Sequence, residues 1–579
     1  MPHLPSLVFA FLLSTPLLAQ GQQTTRPQTA ATLPELTMQW REDVNALDRL
    51  YRFPLSEAHD KALAALHERW TQRMQAVDFE GLARREQIDW LLLSDAIRHA
   101  GEKLKNAQKE AAEVSIYLQY KQHLLPLLEA RSQRDLPLAR ASAEAMQAAA
   151  QWIEDWQARW TEEADEENDS GASPSPSHMR KVARVNGRMR QAIRSWYEFG
   201  AEYDPEFTWW CEMPWKKLDK ALEGHGKFLE ETIGEIDPKD EDRLIGQPIG
   251  LDGLLAALRN ERIAYTPDEL IAIAEGEFAW CETERARAAS ELGLGDDWRK
   301  ALEQVRSIQV APGAQPLMIR ELADEATEYF EQNDLLTVPE GCDQTWRMQM
   351  MSPARQRFTP YFTGGEVISI AYPTQGMEHD AKMQSMRGNN RHFARATVHH
   401  ELIPGHHLQG YMARRWNTHR GQFRTPFLVE GWALYWELRL WDLGFAQSPE
   451  DEIGMLFWRS HRCARILFSL NYHLKNWTAE ECVDFLVERV GHDRRNASAE
   501  VRRSIQGGYG PLYQVAYMIG GLQILALHKE MVQSGTWTEK DFHDTLLKQG
   551  SIPVDFIRAA LGTERLKKDM PVAWRFANE

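Results

Sequence analysis

The chain has 579 residues, 67 of them Lys or Arg and 84 Asp or Glu, so its formal charge is −17 with histidine neutral. That balance argues against a nucleic-acid partner. The 43% hydrophobic and 26% charged content excludes both a disordered chain and a membrane bundle. With 21 Trp, 15 Tyr and 21 Phe, broad helix packing or an aromatic-lined cleft is expected.

Residues 1–20 carry an apolar run that ends at Ala19 and turns polar, the pattern of a secretory signal peptide. Residues 21–33 then read as a linker and 34–579 as one helical domain. No other window offers about 20 uninterrupted apolar residues, so a secreted or periplasmic protein without stable membrane insertion is expected. Five cysteines, Cys211, Cys281, Cys342, Cys463 and Cys482, are widely spaced with no C-x-x-C pair, which indicates neither a disulfide scaffold nor a zinc ribbon.

Helical periodicity begins near Leu33 and recurs over 82–104, 139–160, 267–292 and 317–333. The acidic run 162–169 and the Ser/Pro-rich stretch 170–177 predict an exposed loop. Residues 366–372, bracketed by Gly364-Gly365 and Pro373, predict a strand with Ile368, Ile370 and Tyr372 on one face. Such a strand can pair with an extended peptide or form a small structural hairpin. The fold expected is mainly α, with a small β element just before the most informative segment.

That segment places His399, His400, Glu401, His406 and His407 within nine positions. Neutral imidazole is the commonest nitrogen ligand of zinc, and a carboxylate beside a ligand can serve metal-activated water without binding the ion. His400-Glu401 matches the opening of H-E-x-x-H, in which the histidines lie one helical turn apart. Pro404 stands where the second histidine belongs and has no N–H to continue the helix. If Pro404-Gly405 forms a bulge, His406 fills the second slot; His407 is the alternative, near the same azimuth but about 10.5 Å along the axis. A third ligand is expected from the next helix, which starts at Pro426 behind Thr425 and turns Glu430 and Glu437 to its apolar face. Glu430 is the better placed, and a buried pair with Arg462 or Arg465 is the plain alternative.

His400-Glu401-x-x-Pro404-Gly405-His406-His407-x-Gln409, followed by Glu430-Gly-Trp-Ala-Leu-Tyr435, resembles the bacterial family known as domain of unknown function 885 (DUF885), over most of the mature chain. That family is in turn similar to helical zinc peptidases of the thimet oligopeptidase, angiotensin-converting enzyme and carboxypeptidase Taq kind. The resemblance implies a large helical, two-lobed cleft, Zn2+ held by His400, His406 and Glu430, and Glu401 as general base. Arg465, His473 and the helix after Trp477 also resemble the family, whereas Ser469 stands in place of an expected aspartate. Near the end, Pro511, Tyr517 and Gly520 match a family motif of which other positions depart. The relatives place a tyrosine or histidine opposite the water; Tyr517 is the first candidate for holding the oxyanion, with Tyr509 and His473 as further substrate-binding candidates. The function implied is a zinc-dependent metallopeptidase acting on short or unfolded peptides. A zinc hydrolase of a non-peptide amide and a silent metal-containing binding protein are the alternatives. Ion identity beyond a zinc-like divalent cation, endo- or exo-cleavage and oligomeric state are not legible in the sequence.

Overall fold

The computed structural model describes residues 31–166, 174–240, 242–356, 359, 361–506 and 508–577. The apolar leader and nearly all of the linker lie outside them, as do residues 167–173 of the expected loop. The chain is mainly α-helical, with two four-residue strands among the described residues.

Local signals set many helix starts. Thr32 accepts from Glu35 N–H while the Glu35 carboxylate takes the Thr32 N–H at 2.7 Å, a reciprocal cap that opens Leu33–Leu50. Thr266 with Glu269 does the same for Pro267–Glu291, where proline at the first position sacrifices no hydrogen bond. Two predicted elements prove longer than the sequence suggests. The helix expected over 82–104 spans Arg84–Ser115, and that over 139–160 runs on to Glu166. Its Glu and Ala residues favour the helix, so the first part of the acidic run continues it instead of forming a loop. The next helix, Pro176–Gly200, begins behind Ser175.

The described residues build two large apolar cores. One collects side chains from Leu33 to Phe576, and the other is made by helices Lys121–Ser132, Ala139–Glu166, Pro176–Gly200 and Pro205–Lys227. A third, small cluster seats Ile368 and Ile370 against Val398 and Leu402.

The strand expected over 366–372 is Val367–Ile370 (β2), paired with Arg347–Met350 (β1). The pair is parallel, with Met348 opposite Ile368, so the hairpin alternative does not occur. Ile368 and Ile370, expected on one face, are both buried, but Ser369 between them is buried too, and Tyr372 lies beyond the strand. Ser369 N–H donates to Thr363 O (2.8 Å) and Thr363 N–H donates back to Ser369 O (3.1 Å), so β2 has no free edge there for a peptide. Instead, Gly365 N–H donates to Glu401 O at 3.1 Å and ties the strand to the end of the histidine-bearing helix.

Candidate metal centre

Helix Arg391–Glu401, capped by Asn390, carries His399, His400 and Glu401 in its last turn. The chain then leaves helical geometry for four residues and restarts as His406–Ala413. The expected bulge is thus a complete break, because Pro404 cannot donate and no helical ladder can pass through it. Gly405 packs against the preceding turn so closely that a Cβ there would lie 1.8 Å from His400 O, which only glycine tolerates. Gly405 N–H donates to His399 O (3.0 Å), and Trp432 Nε1 donates to Pro404 O (2.7 Å), holding the break against the next helix.

The break brings His406 to His400: their ring centroids are 4.8 Å apart and the rings perpendicular. His407 faces away and donates from Nε2 to Cys342 O at 2.8 Å, so of the two histidines only His406 adjoins His400. His399 is also apart, buried edge-on against Phe445, and burial pushes its imidazole down to about 3.

Helix Pro426–Asp442 begins as expected, with Thr425 accepting from Phe427 N–H. It is enclosed on nearly every face and not only along one stripe. Gly431 meets Gly520 of helix Tyr513–His528 where the two cross: a Cβ on Gly520 would lie 2.0 Å from Phe427 O. This close crossing places Glu430 beside Tyr513 and Tyr517. Glu430 Oε2 lies 3.2 Å from His406 Nε2 and 3.8 Å from His400 Nε2. Tetrahedral ligands at 2.0–2.1 Å from a zinc ion sit roughly 3.3 Å apart, which the His406–Glu430 separation matches and the His400–Glu430 separation exceeds by about 0.5 Å. Glu430 Oε2 is buried and accepts no hydrogen bond, while Oε1 accepts one from the Tyr513 hydroxyl. Glu401 belongs to the same cluster, with ligand atoms of His400, Glu401 and His406 all within 4.8 Å of one another. Two carboxylates, Glu401 and Glu430, thus lie beside the paired imidazoles of His400 and His406.

Behind the histidines a second carboxylate closes the arrangement. Glu437 Oε1 is 2.6 Å from His400 Nδ1 and accepts from Arg462 Nη2 at 3.0 Å. Arg465 Nε donates to Glu500 Oε1 at 2.7 Å. Both arginines are therefore committed elsewhere, and the simple Glu430–Arg pair is absent among the described residues. Burial opposes the charge on His400, yet Glu430 and Glu437 together lift it to about 9. Burial likewise opposes ionisation of Glu430, but His406 and His400 hold its carboxylate well below the ordinary range. Burial raises Glu401 above it.

A cavity of about 810 Å³ opens over this cluster, with His400, Glu401, His406, Glu430, Tyr509 and Tyr517 in its wall. Every wall residue falls between Thr359 and Ser551, so none comes from the helices of the second core. Tyr517 stacks on His400 at 6.3 Å, and burial followed by the Glu430 charge raises its phenol, leaving a protonated donor. Tyr509 is 41% exposed at the wall and packs on Tyr513. His473 does not line the cavity. It is buried at the last turn of helix Pro449–His473, eight residues and about 12 Å along the axis from Arg465. Sequence reasoning missed Tyr513 and Glu500, and noted Glu437 without giving it a task. The four-residue spacing of Tyr509, Tyr513 and Tyr517 was the available signal for the first.

A second cluster, His528, Glu539 and His543, also converges within 4.8 Å. Its His543 is already spent at both nitrogens, Nδ1 on Leu335 O (2.7 Å) and Nε2 on the Tyr435 hydroxyl (2.8 Å), so it is an ion-pair network.

Fold and site together define a mainly helical protein with a buried two-histidine, one-glutamate constellation at the floor of a cavity. The chain belongs to the family described as bacterial protein of unknown function (DUF885), whose model matches residues 37–561. No curated protein matches it. Among solved structures, it is similar to a putative lipoprotein of unknown function from Shewanella oneidensis, with 17% identity, 91% of this chain and 99% of that chain covered, and a TM-score of 0.68. A putative lipoprotein from Colwellia psychrerythraea is similar at 15% identity, with 91% and 97% covered and a TM-score of 0.57. These likenesses show the fold. None of the descriptions names a peptidase, so the resemblance to helical zinc peptidases rests on the motif alone.

Proposed function

We propose that the protein is an extracytoplasmic zinc-dependent metallopeptidase that hydrolyses short or unfolded peptides. The observation that carries this reading is the bare Glu430 Oε2, buried without a hydrogen-bond donor and faced by His406 and His400 Nε2 at 3.2 and 3.8 Å. A buried carboxylate oxygen demands a cation or a donor. The donor set of two imidazoles and one carboxylate suits zinc with a position left open. When bound, the ion would supply Lewis acidity that acidifies water and polarises a carbonyl.

The chain's own residues divide the remaining work. Glu401 would take a proton from water at one carboxylate oxygen and deliver it to the leaving amine nitrogen, a task that a carboxylate raised by burial performs well. The Tyr517 hydroxyl would donate to the oxygen on which negative charge develops. Glu437 would hold the Nδ1 proton of His400 and so leave Nε2 free as a ligand. The relatives described as lipoproteins support a location outside the cytoplasm. Among the described residues no helix is long and apolar enough to cross a membrane.

The test is metal content together with hydrolysis of a peptide library, with and without chelator. The expected result is about one zinc per chain and chelator-sensitive cleavage. Glu401→Gln should keep the zinc and lose about 10³-fold in turnover. Cleavage of non-peptide amides alone would redirect the reading to another substrate, and bound zinc with no hydrolysis at all would make this a binding protein.

A further inference from the structure

The wall of the cavity is cationic although the chain is acidic: it holds five arginines, Arg414, Arg424, Arg462, Arg465 and Arg503, against two carboxylates, Glu401 and Glu430, both accounted for above. Arg462 and Arg465 are partly neutralised from behind by Glu437 and Glu500. Arg503 has only the longer-range attraction of Glu500. It makes no close ion pair among the described residues, its Nε is buried without a partner, and its Nη2 reaches the Tyr517 hydroxyl at a long 3.5 Å. Glu500, one turn earlier on the same helix, is spent on Arg465 and Gln514. Arg465 itself is 3% exposed, and its Nη1 is buried with no acceptor. Its guanidinium lies 4.4 Å over the Tyr517 ring, which also stacks on His400 and packs against Arg462 and Tyr513. Two guanidinium groups with unused donors thus flank the tyrosine that stacks on a metal-facing histidine.

A guanidinium without a close acceptor in a half-enclosed wall leaves donors unused until a ligand supplies one, and a carboxylate matches its planar fork. We infer that the cavity selects substrates by a carboxylate close to the scissile bond, received by Arg503 with Arg465 behind it. This rests on the peptidase reading and adds the substrate class: peptides ending in a free C-terminal carboxylate, or bearing an acidic side chain at the position that reaches Arg503.

Binding separates the two sources and does not depend on turnover. Zinc-loaded Glu401→Gln protein is titrated calorimetrically with two peptide pairs. One pair has neutral side chains and ends in free acid or amide; the other is amidated and ends in Glu or Gln. In at least one pair the carboxylate-bearing member should bind about tenfold or more tightly, the worth of one charge-assisted contact. The pair showing the effect identifies the source. In the same background, Arg503→Gln should erase the preference and Arg503→Lys restore part of it, with zinc content and melting temperature unchanged. Equal affinities in both pairs, no binding by any of the four, or a preference that survives Arg503→Gln would overturn the inference. Wild-type protein that prefers the carboxylate but cuts none of the peptides would sink the peptidase reading and leave this one standing. Wild type that cuts acid and amide equally, with equal binding, would do the reverse.

Discussion

Glu430 Oε2 is sealed in protein with two imidazole nitrogens aimed at it, and its charge is met there by a protonated imidazole or by a bound cation. The competing arrangement, Glu430 against an arginine, was the plain alternative in the sequence. Arg462 and Arg465 chose Glu437 and Glu500 instead. In the proposed reading Glu437, 2.6 Å from His400 Nδ1, is a positioning residue that would hold the tautomer and ring plane of His400. Glu437→Gln should weaken zinc binding by about 10- to 100-fold, measured by competition with a chromophoric chelator. Unchanged affinity would reduce Glu437 to a counter-ion of Arg462. Tyr513→Phe removes the hydroxyl bonded to Glu430 Oε1 and should weaken zinc binding in the same assay, with little change in melting temperature.

Two elements decide whether the ligands meet. The first is the four-residue break between helices Arg391–Glu401 and His406–Ala413, which turns a six-residue histidine spacing into neighbouring rings. Pro404 made a departure from regular helix legible, but its form depended on Trp432 and on the Gly405 approach to His400 O, contacts 28 residues apart or set by backbone packing. The second is the crossing of helices Pro426–Asp442 and Tyr513–His528 at Gly431 and Gly520. A methyl group on Gly520 would force Phe427 O away, so Gly520→Ala should cost about 2–3 kcal/mol, read from urea midpoints. Because the same shift withdraws Tyr513 from Glu430, zinc affinity should fall with stability. A stable variant with native affinity would show that the crossing is not needed for the site.

On the scale of the whole molecule, a formal charge of −17 coexists with an arginine-rich cavity, because surface carboxylates and buried guanidinium groups are distributed by different constraints. One of those internal pairs should govern acid stability. Burial raises the carboxyl of Glu500, but Arg465 and Arg503 outweigh it and hold it at about 2, against 4.5 for the free group. The folded value lies below the unfolded one, so this stabilisation is complete above pH 4.5 and is lost as pH falls toward 2. Glu500→Gln should be less stable than wild type at pH 7 by about 3 kcal/mol, since it strands a buried arginine. The gap should narrow in urea melts taken between pH 4.5 and 3. A gap independent of pH would mean that Glu500 acts by packing alone.

The sequence by itself determined the mainly helical class, several helix starts, the strand at Val367–Ile370, and the presence of His400, Glu401, His406 and Glu430 in one chemical theme. These follow from signals that act within a few residues: caps, periodicity, proline and the spacing of imidazoles. Only the tertiary structure decided that His406 and not His407 faces His400, that Glu437 stands behind His400, and that Tyr513 grips Glu430. It also placed His473 outside the cavity and Arg503 inside it. Those outcomes depend on which faces meet when separate helices pack, and side chains 6 to 83 positions apart in the chain become partners only once glycines allow two backbones to touch.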